Sequence, residues 1–462
     1  INPSFFNQMQ NLQVLDLSYT GILRLPDSFS NLENLRALLL CSCWNLHYVP
    51  TLSKLKELRV LDLSYSSIEH MPHGMEMLAN LRRLDLSHCR ANDFQSSFLS
   101  NYRMLENLLL IGLWQSLELG KVFVDQLTSC INLSLFEANF RTVEDFNYYT
   151  MSGHWSQVES FKFCIGYPES SMRFGRNSVA LIGAHMFHRE ILALLPGRIH
   201  ELVLLACSGI NHLPTSISFA SSQLQICKLQ HCDDMEWIIT SGWSTFPSLE
   251  SLEIEGLGKL HTFCMGIPQE GTLANLKVLH VTQCNDLKTV LSFELVQNLK
   301  SLEEIVIENC ERIEEIIDDE RGGEDVTQVD NAEIILPRLQ KLKLSSLPRL
   351  TSICWNRVMI CDSLSIIEVH KCPELTALPF FVEIRQPLIQ SLKQIKGSRR
   401  WREDLTKSHP DCIGLLYSIF KVTQSSAAYD IFEPQNSAAN EIFEEDDGRN
   451  IGESASSSFG PR

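Results

Sequence analysis

Residues able to do chemistry are plentiful in this chain, but their spacing does not assemble a reactive site. His185 and His188 lie three residues apart with no third ligand to complete a zinc shell, and they read as surface histidines. The acidic run Asp318-Asp319-Glu320-Arg321-Gly322-Gly323-Glu324-Asp325 reads as a solvated loop, although paired carboxylates could hold a divalent cation weakly. The 15 cysteines form no CxxC pairs and read neither as zinc knuckles nor as a disulfide framework; buried thiols in a reducing compartment are expected. The sequon Asn132-Leu133-Ser134 has no secretory context. The chain contains no GxxxxGK[ST] loop, no GxGxxG after a strand, no HExxH and no GxSxG. Carboxylates are abundant, yet the pattern requires none to face another inside a cleft. No enzyme activity, metal or cofactor is expected within this chain.

The cysteines do share a phase. Cys43, Cys89, Cys207, Cys232, Cys284, Cys310 and Cys372 each fall three residues after the last apolar residue of an LxxLxL unit. That unit begins at Leu12, Leu35, Leu58 and Leu81, separated by 23 residues each time. A fixed period of this size built on LxxLxL is the signature of a leucine-rich-repeat solenoid. The expected fold is therefore α/β, a right-handed horseshoe or arc with a parallel β-sheet on its concave face. Leu15 and Leu17 alternate with exposed positions as a short strand requires, and the strand must end before Pro26. A small polar group at the cysteine phase, such as Thr20 or Ser66, can bond to backbone groups left free where the chain turns out of the strand. The remainder of each repeat is expected to return as loops and short helical turns.

Five segments follow from the periodicity. Residues 1–112 carry the regular repeats, and 113–198 hold degraded repeats with insertions. In the second segment strands are expected at 131–135 and 158–163, with a long loop over 167–184. Residues 199–387 carry repeats spaced by 25, 25, 27 and 26 residues, interrupted by the acidic loop near 318–333. Residues 388–420, with Leu392, Ile395 and Trp401, are expected to cap the open end of the core. Residues 421–462 read as a disordered acidic tail.

At 462 residues the chain exceeds the roughly 250–300 at which one compact core stops growing, a ceiling that a solenoid lacks. Its 39 basic against 56 acidic residues give a net charge of −17, which argues against a nucleic-acid partner. No run of about 18 to 20 apolar residues encodes a transmembrane helix. The first residues, Ile1-Asn2-Pro3-Ser4, enter directly at a repeat boundary without a signal sequence, and a fragment of a longer protein is expected.

With chemistry absent, surface remains. Strand positions flanking the buried leucines point away from the core. In the first block these include Asp16, Asp62 and Asp85, a partly acidic stripe interrupted by Leu39 that suits either a structural or a partner role. Farther on, Lys228, then Glu253 and Glu255, His280, Glu304 and Glu308, Lys341 and Lys343, and finally Glu368 and His370 occupy equivalent positions. Packing does not need these charge reversals. They give the concave face a pattern suited to discriminating protein partners.

The opening phrase from Phe5 to Leu32, the LxxLxVxxCxxL copy at Leu276–Lys288, and Arg399-Arg400-Trp401-Arg402-Glu403-Asp404-Leu405 together resemble the repeat region of plant intracellular nucleotide-binding leucine-rich-repeat disease resistance proteins, coiled-coil class. The resemblance implies a sensor and autoinhibitory module that detects a pathogen effector or a guarded host protein, in the cytoplasm or peripheral to a membrane in the full-length protein. It also implies an upstream nucleotide-binding domain that would hold ADP or ATP. No residue here matches that domain, so no nucleotide contact is carried over. The alternative is a substrate-recognition adaptor of a ubiquitin ligase, which would need an F-box-like helical segment before Leu12.

Overall fold

Leucine alternating with polar residues over three positions makes a strand too short to stand alone, so each copy must pair with the next. In the computed structural model, strands Val14–Asp16, Ala37–Leu39, Val60–Asp62, Arg83–Asp85 and Asn107–Leu109 do so in parallel, with Leu15 opposite Leu38, Leu61, Leu84 and Leu108 in turn. The structure describes residues 2–113, 121–166, 175–184, 197–213, 223–241, 246–318, 333–355, 357–381 and 391–423. These belong to the unit Ile1–Thr423, and the remaining unit, Gln424–Arg462, lies outside the described residues. Parallel pairing requires a crossover, supplied here by the rest of each repeat. Short 3-10 turns at Asp27–Asn31, Met75–Met77 and Ser96–Asn101 lie on that return path. Leu25, Phe29, Leu32 and Leu35 then bury against the strand leucines.

The sheet continues where the sequence period fades. Strands Leu135–Phe140, Ser160–Ile165, Ser178–Ile182 and Glu201–Leu205 extend it, each paired in parallel with the one before. Two expectations need correction. The strand expected at 131–135 starts only at Leu135, because Ile131 is exposed and Ser134 and Leu135 bond back to Glu106. The loop expected over 167–184 contains a strand, in which Val179 and Leu181 face the core and the small Ser178 and Ala180 face the other way. Helices Lys121–Leu127 and Val143–Met151 stand on the return side, the second capped by the Thr142 side chain accepting from the Asp145 amide. Aromatic rings replace leucines in these slices: Phe136, Phe140, Phe146, Tyr149, Phe161 and Phe163 are all buried.

From Glu201–Leu205 the main sheet proceeds through Ile226–Gln230, Ser251–Glu255, Val278–Thr282, Glu304–Glu308, Lys341–Ser345 and Ile366–His370 to Gln394–Gly397 and Phe420–Val422. Among the described residues it has 17 strands. The return segments of this half are more than loops and turns. Trp237–Thr240 pairs with Thr262–Met265, Thr289–Ser292 with Glu315–Asp318 and then Ser352–Cys354, and Ile334–Ile335 with Met359–Ile360. Sequences such as Thr-Val-Leu-Ser and Glu-Ile-Ile-Asp are β-formers, and the longer repeats give them room to pair. Past residue 391, Ser398 caps helix Arg399–Ser408, whose Trp401 donates from Nε1 to the Leu375 carbonyl at 2.7 Å and packs on Phe420.

One turn recurs at the end of the main strands. The residue before the cysteine phase is left-handed, with φ of +61° at Tyr19, +54° at Tyr65, +56° at His88, +51° at His231 and +54° at Asn309. Its amide bonds to the next strand, as Tyr19 does to Cys41 and Tyr65 to Ser87. The following side chain turns back to a carbonyl: Thr20 to Leu17 at 2.6 Å, Ser66 to Leu63 at 2.7 Å, Cys310 to Glu308 at 3.3 Å. The cysteines at this phase are thus thiol versions of a backbone tie, and none of the fifteen is in a disulfide. Ser66 is buried, so Ser66→Ala should lower stability by about 0.5–1.5 kcal/mol in denaturant unfolding; an unchanged midpoint would remove the tie from the account.

Candidate functional site: the open face of the sheet

The main strands alternate cleanly. In Ile226–Gln230, Ser251–Glu255, Val278–Thr282, Lys341–Ser345 and Ile366–His370 the second and fourth residues are buried and the others half-buried. All thirteen charged or histidine positions singled out in the sequence stand on the face away from the core. Register aligns Lys228, Glu253, His280, Val306, Lys343, Glu368 and Lys396 in one row across seven strands. A second row runs Glu201, Ile226, Ser251, Val278, Glu304, Lys341, Ile366 and Gln394. Gln230, Glu255, Thr282, Glu308, Ser345 and His370 make a third.

Strand spacing of about 4.8 Å brings neighbouring charges into contact. Lys341 Nζ lies 2.8 Å from Glu304 Oε1, and Lys343 Nζ 2.8 Å from Glu308 Oε1. Glu304 also meets His280 Nε2 at 3.9 Å. Lys228 bridges Glu201 at 3.3 Å and Glu253 at 3.8 Å, and Gln230 donates to Glu255. Lys396 Nζ lies 2.6 Å from Glu368 Oε1, and its hydrogen bond holds the Glu368 carboxyl below the usual range. The bond that Lys341 donates to Glu304 likewise raises the Lys341 ammonium above its usual range. Partly exposed pairs of this kind contribute about 0.2–1 kcal/mol each, so their larger effect is to hold the charges in a fixed pattern.

The acidic stripe of the first block is built differently. Asp16 Oδ1 accepts from the Ser18 amide, Asp62 Oδ1 from the Ser64 amide and hydroxyl, and Asp85 Oδ1 from the Ser87 amide. These aspartates cap the strand ends, so their recurrence has a structural cause. The Ser18 bond lowers the Asp16 carboxyl, whereas burial raises that of Asp85 despite its contact with Arg83 at 2.9 Å. Leu39 separates Asp16 from Asp62 in the row.

Several members of this face escaped the sequence reading. Glu137 pairs with Lys162 at 2.9 Å in the middle slices, and the buried Glu201 accepts from the Gly175 amide besides holding Lys228. Ile111, Cys164, Ala180 and Val203 form a small apolar cluster on the same face. Their signal was register, which is visible only once neighbouring strands are aligned. His185, His188 and residues 319–325 of the acidic run lie outside the described residues. Among the described residues no group of three His, Cys, Asp or Glu side chains is placed to hold a metal ion, and no helix is long and apolar enough to cross a membrane.

One strand per repeat, a buried leucine ladder and a polar face define a leucine-rich-repeat solenoid, and the general leucine-rich-repeat family model matches residues 1–43 and 50–90. A second model, plant disease resistance protein RPS2-like leucine-rich repeats, matches residues 259–396. These are leucine-rich repeats of the plant disease-resistance type. A probable disease resistance protein of Arabidopsis thaliana is 34% identical over 400 residues, covering 81% of this chain and 42% of that protein. Another disease resistance protein of the same plant is 29% identical over 180 residues, covering 38% and 16% respectively. The chain thus spans less than half the length of either relative. A leucine-rich-repeat protein of Leptospira interrogans is a structural neighbour with TM-score 0.47 and 16% identity, over 91% of this chain and 97% of that one.

Proposed function

We propose that this chain is the sensor and autoinhibitory region of a plant innate immune receptor, and that the charged open face of its later repeats meets a pathogen effector or a guarded host protein. The carrying observation is a contrast within single strands. Ile305, Leu342 and Ile367 keep the same apolar character in register, while Val306, Lys343 and Glu368 beside them change sign and polarity from strand to strand. Packing demands the first series; partner discrimination is the physical use of the second. Similarity to disease resistance proteins supports a defence role.

On this reading the region acts by binding and not by catalysis. The first block would hold an upstream nucleotide-binding domain, where any ADP or ATP would sit, and the buried free thiols fit a reducing compartment such as the cytoplasm. A full-length receptor carrying Lys341→Glu with Lys343→Glu should lose or change its recognition response, because two cations become anions beside Glu304 and Glu308. Stability should fall by only about 0.5–2 kcal/mol for the two pairs. An unchanged response in a receptor that accumulates normally would remove this face from recognition.

A further inference from the structure

The left-handed turn after each strand favours residues that reach positive φ without penalty, and Gly112, Gly256 and Asn309 occupy it elsewhere. In the first and third repeats it is occupied by Tyr19 and Tyr65, and in the fourth by His88. Neither backbone preference nor burial selects these rings: Tyr19 is 80% exposed, Tyr65 36%, and the adjacent Trp44 63%. Trp44, Tyr65 and His88 are nevertheless ordered against one another. Trp44 meets Tyr65 edge-on at 5.7 Å, and His88 stacks on Tyr65 at 4.5 Å while lying over Gly112.

Carboxylates adjoin this ridge. Asp62 ends the strand Val60–Asp62 three residues before Tyr65, and Cys41, with Asp62 adding to it, raises the Tyr19 hydroxyl above its usual range. Asp62 commits Oδ1 to Ser64, which leaves Oδ2 free to accept from a partner. Arg36 and Arg59 stand at the opposite ends of the strands, and Arg83 is engaged by Asp85 at 2.9 Å. Ring faces attract a planar cation within about 6 Å, and a carboxylate beside them fits the guanidinium fork better than a point-charged ammonium.

We infer that the rim formed by Tyr19, Trp44, Tyr65 and Asp62 is a docking surface for an arginine-bearing peptide segment of a protein partner, the guanidinium stacking on the exposed Trp44 and bonding to Asp62. This rests on the first block alone and does not depend on the receptor reading above. The probe is a labelled glycine-serine peptide with two arginines four residues apart, titrated against the full chain by fluorescence anisotropy. Trp44→Ala should weaken binding about five-fold, Asp62→Asn should weaken it while keeping the Ser64 bonds, and the lysine version of the peptide should bind less tightly. Trp44 is exposed, so the variant is expected to fold, and circular dichroism verifies this. Absence of binding to the unaltered chain, equal affinity for the lysine peptide, or binding untouched by Trp44→Ala would each overturn the inference.

Discussion

Phe163→Ala is expected to lower the unfolding free energy by about 3–5 kcal/mol, the range for emptying a buried phenylalanine site. Phe163 is 2% exposed, and its ring centroid lies 4.9 Å from Phe161, 5.5 Å from Tyr149, 5.6 Å from both Phe136 and Phe140, and 5.9 Å from Phe146. Those rings come from two neighbouring strands and the helix Val143–Met151, so no single neighbour can collapse into the space. Each repeat packs only on adjacent ones, and the loosening should stay local. Hydrogen exchange should accelerate between residues 135 and 182 and remain unchanged near Leu61. A loss below about 1 kcal/mol, or uniform acceleration along the solenoid, would contradict the aromatic slices as the link between the two halves.

Gly166→Ala is expected to be nearly as damaging through the backbone. Gly166 has φ of +99°, beyond the small left-handed basin open to other residues, and its amide bonds to the Phe140 carbonyl at 3.0 Å. A Cβ there would run into the carbonyl oxygen of Ile182, a backbone atom that the adjoining strand holds in place. Strain of this kind costs about 1–3 kcal/mol before any clash is added. Gly183 is the matched control, since its φ is +61° and nothing lies within 4 Å of a Cβ. Thermal unfolding should place Gly166→Ala well below Gly183→Ala; equal midpoints would show that strand and turn adapt.

The first block was legible because one leucine pattern fixes strand, return and core together: Leu15, Leu38, Leu61 and Leu84 are in register as the 23-residue period requires. The middle was hard to read because its core residues are aromatic. Phe136, Phe161 and Phe163 fill the space of leucines, and helix Val143–Met151 lengthens the return, so both spacing and residue type drift while the sheet persists. Ser178–Ile182 was missed for a related reason, because glycine, serine and proline around it signal a loop. In the later half the return strands were hidden inside turns of no fixed length.

The site was legible as positions but not as partners. Alternation places Lys341 and Glu304 on one face, yet they are 37 residues apart in sequence, and only register brings them to 2.8 Å. The aspartates of the first block illustrate the converse. Their recurrence looked like a surface stripe, and the bonds from Ser18, Ser64 and Ser87 give it a local cause. The aromatic rim had only a partial periodic signal: Tyr19 and Tyr65 share one repeat position two periods apart, but Ser42 fills it between them and Trp44 stands two residues past it.

The central claim is that recognition reads the sign pattern of the open face independently of its packing. The direct measurement exchanges both partners of two pairs, Glu304→Lys and Glu308→Lys with Lys341→Glu and Lys343→Glu, in a full-length receptor whose recognition response is known. The exchange preserves both ion pairs and inverts the pattern; carboxylates at 341 and 343 then adjoin Glu368, so unfolding should stay within about 1 kcal/mol of the unaltered protein. Loss of the response at near-unchanged stability is the expected result; a response of normal strength would contradict recognition by this face.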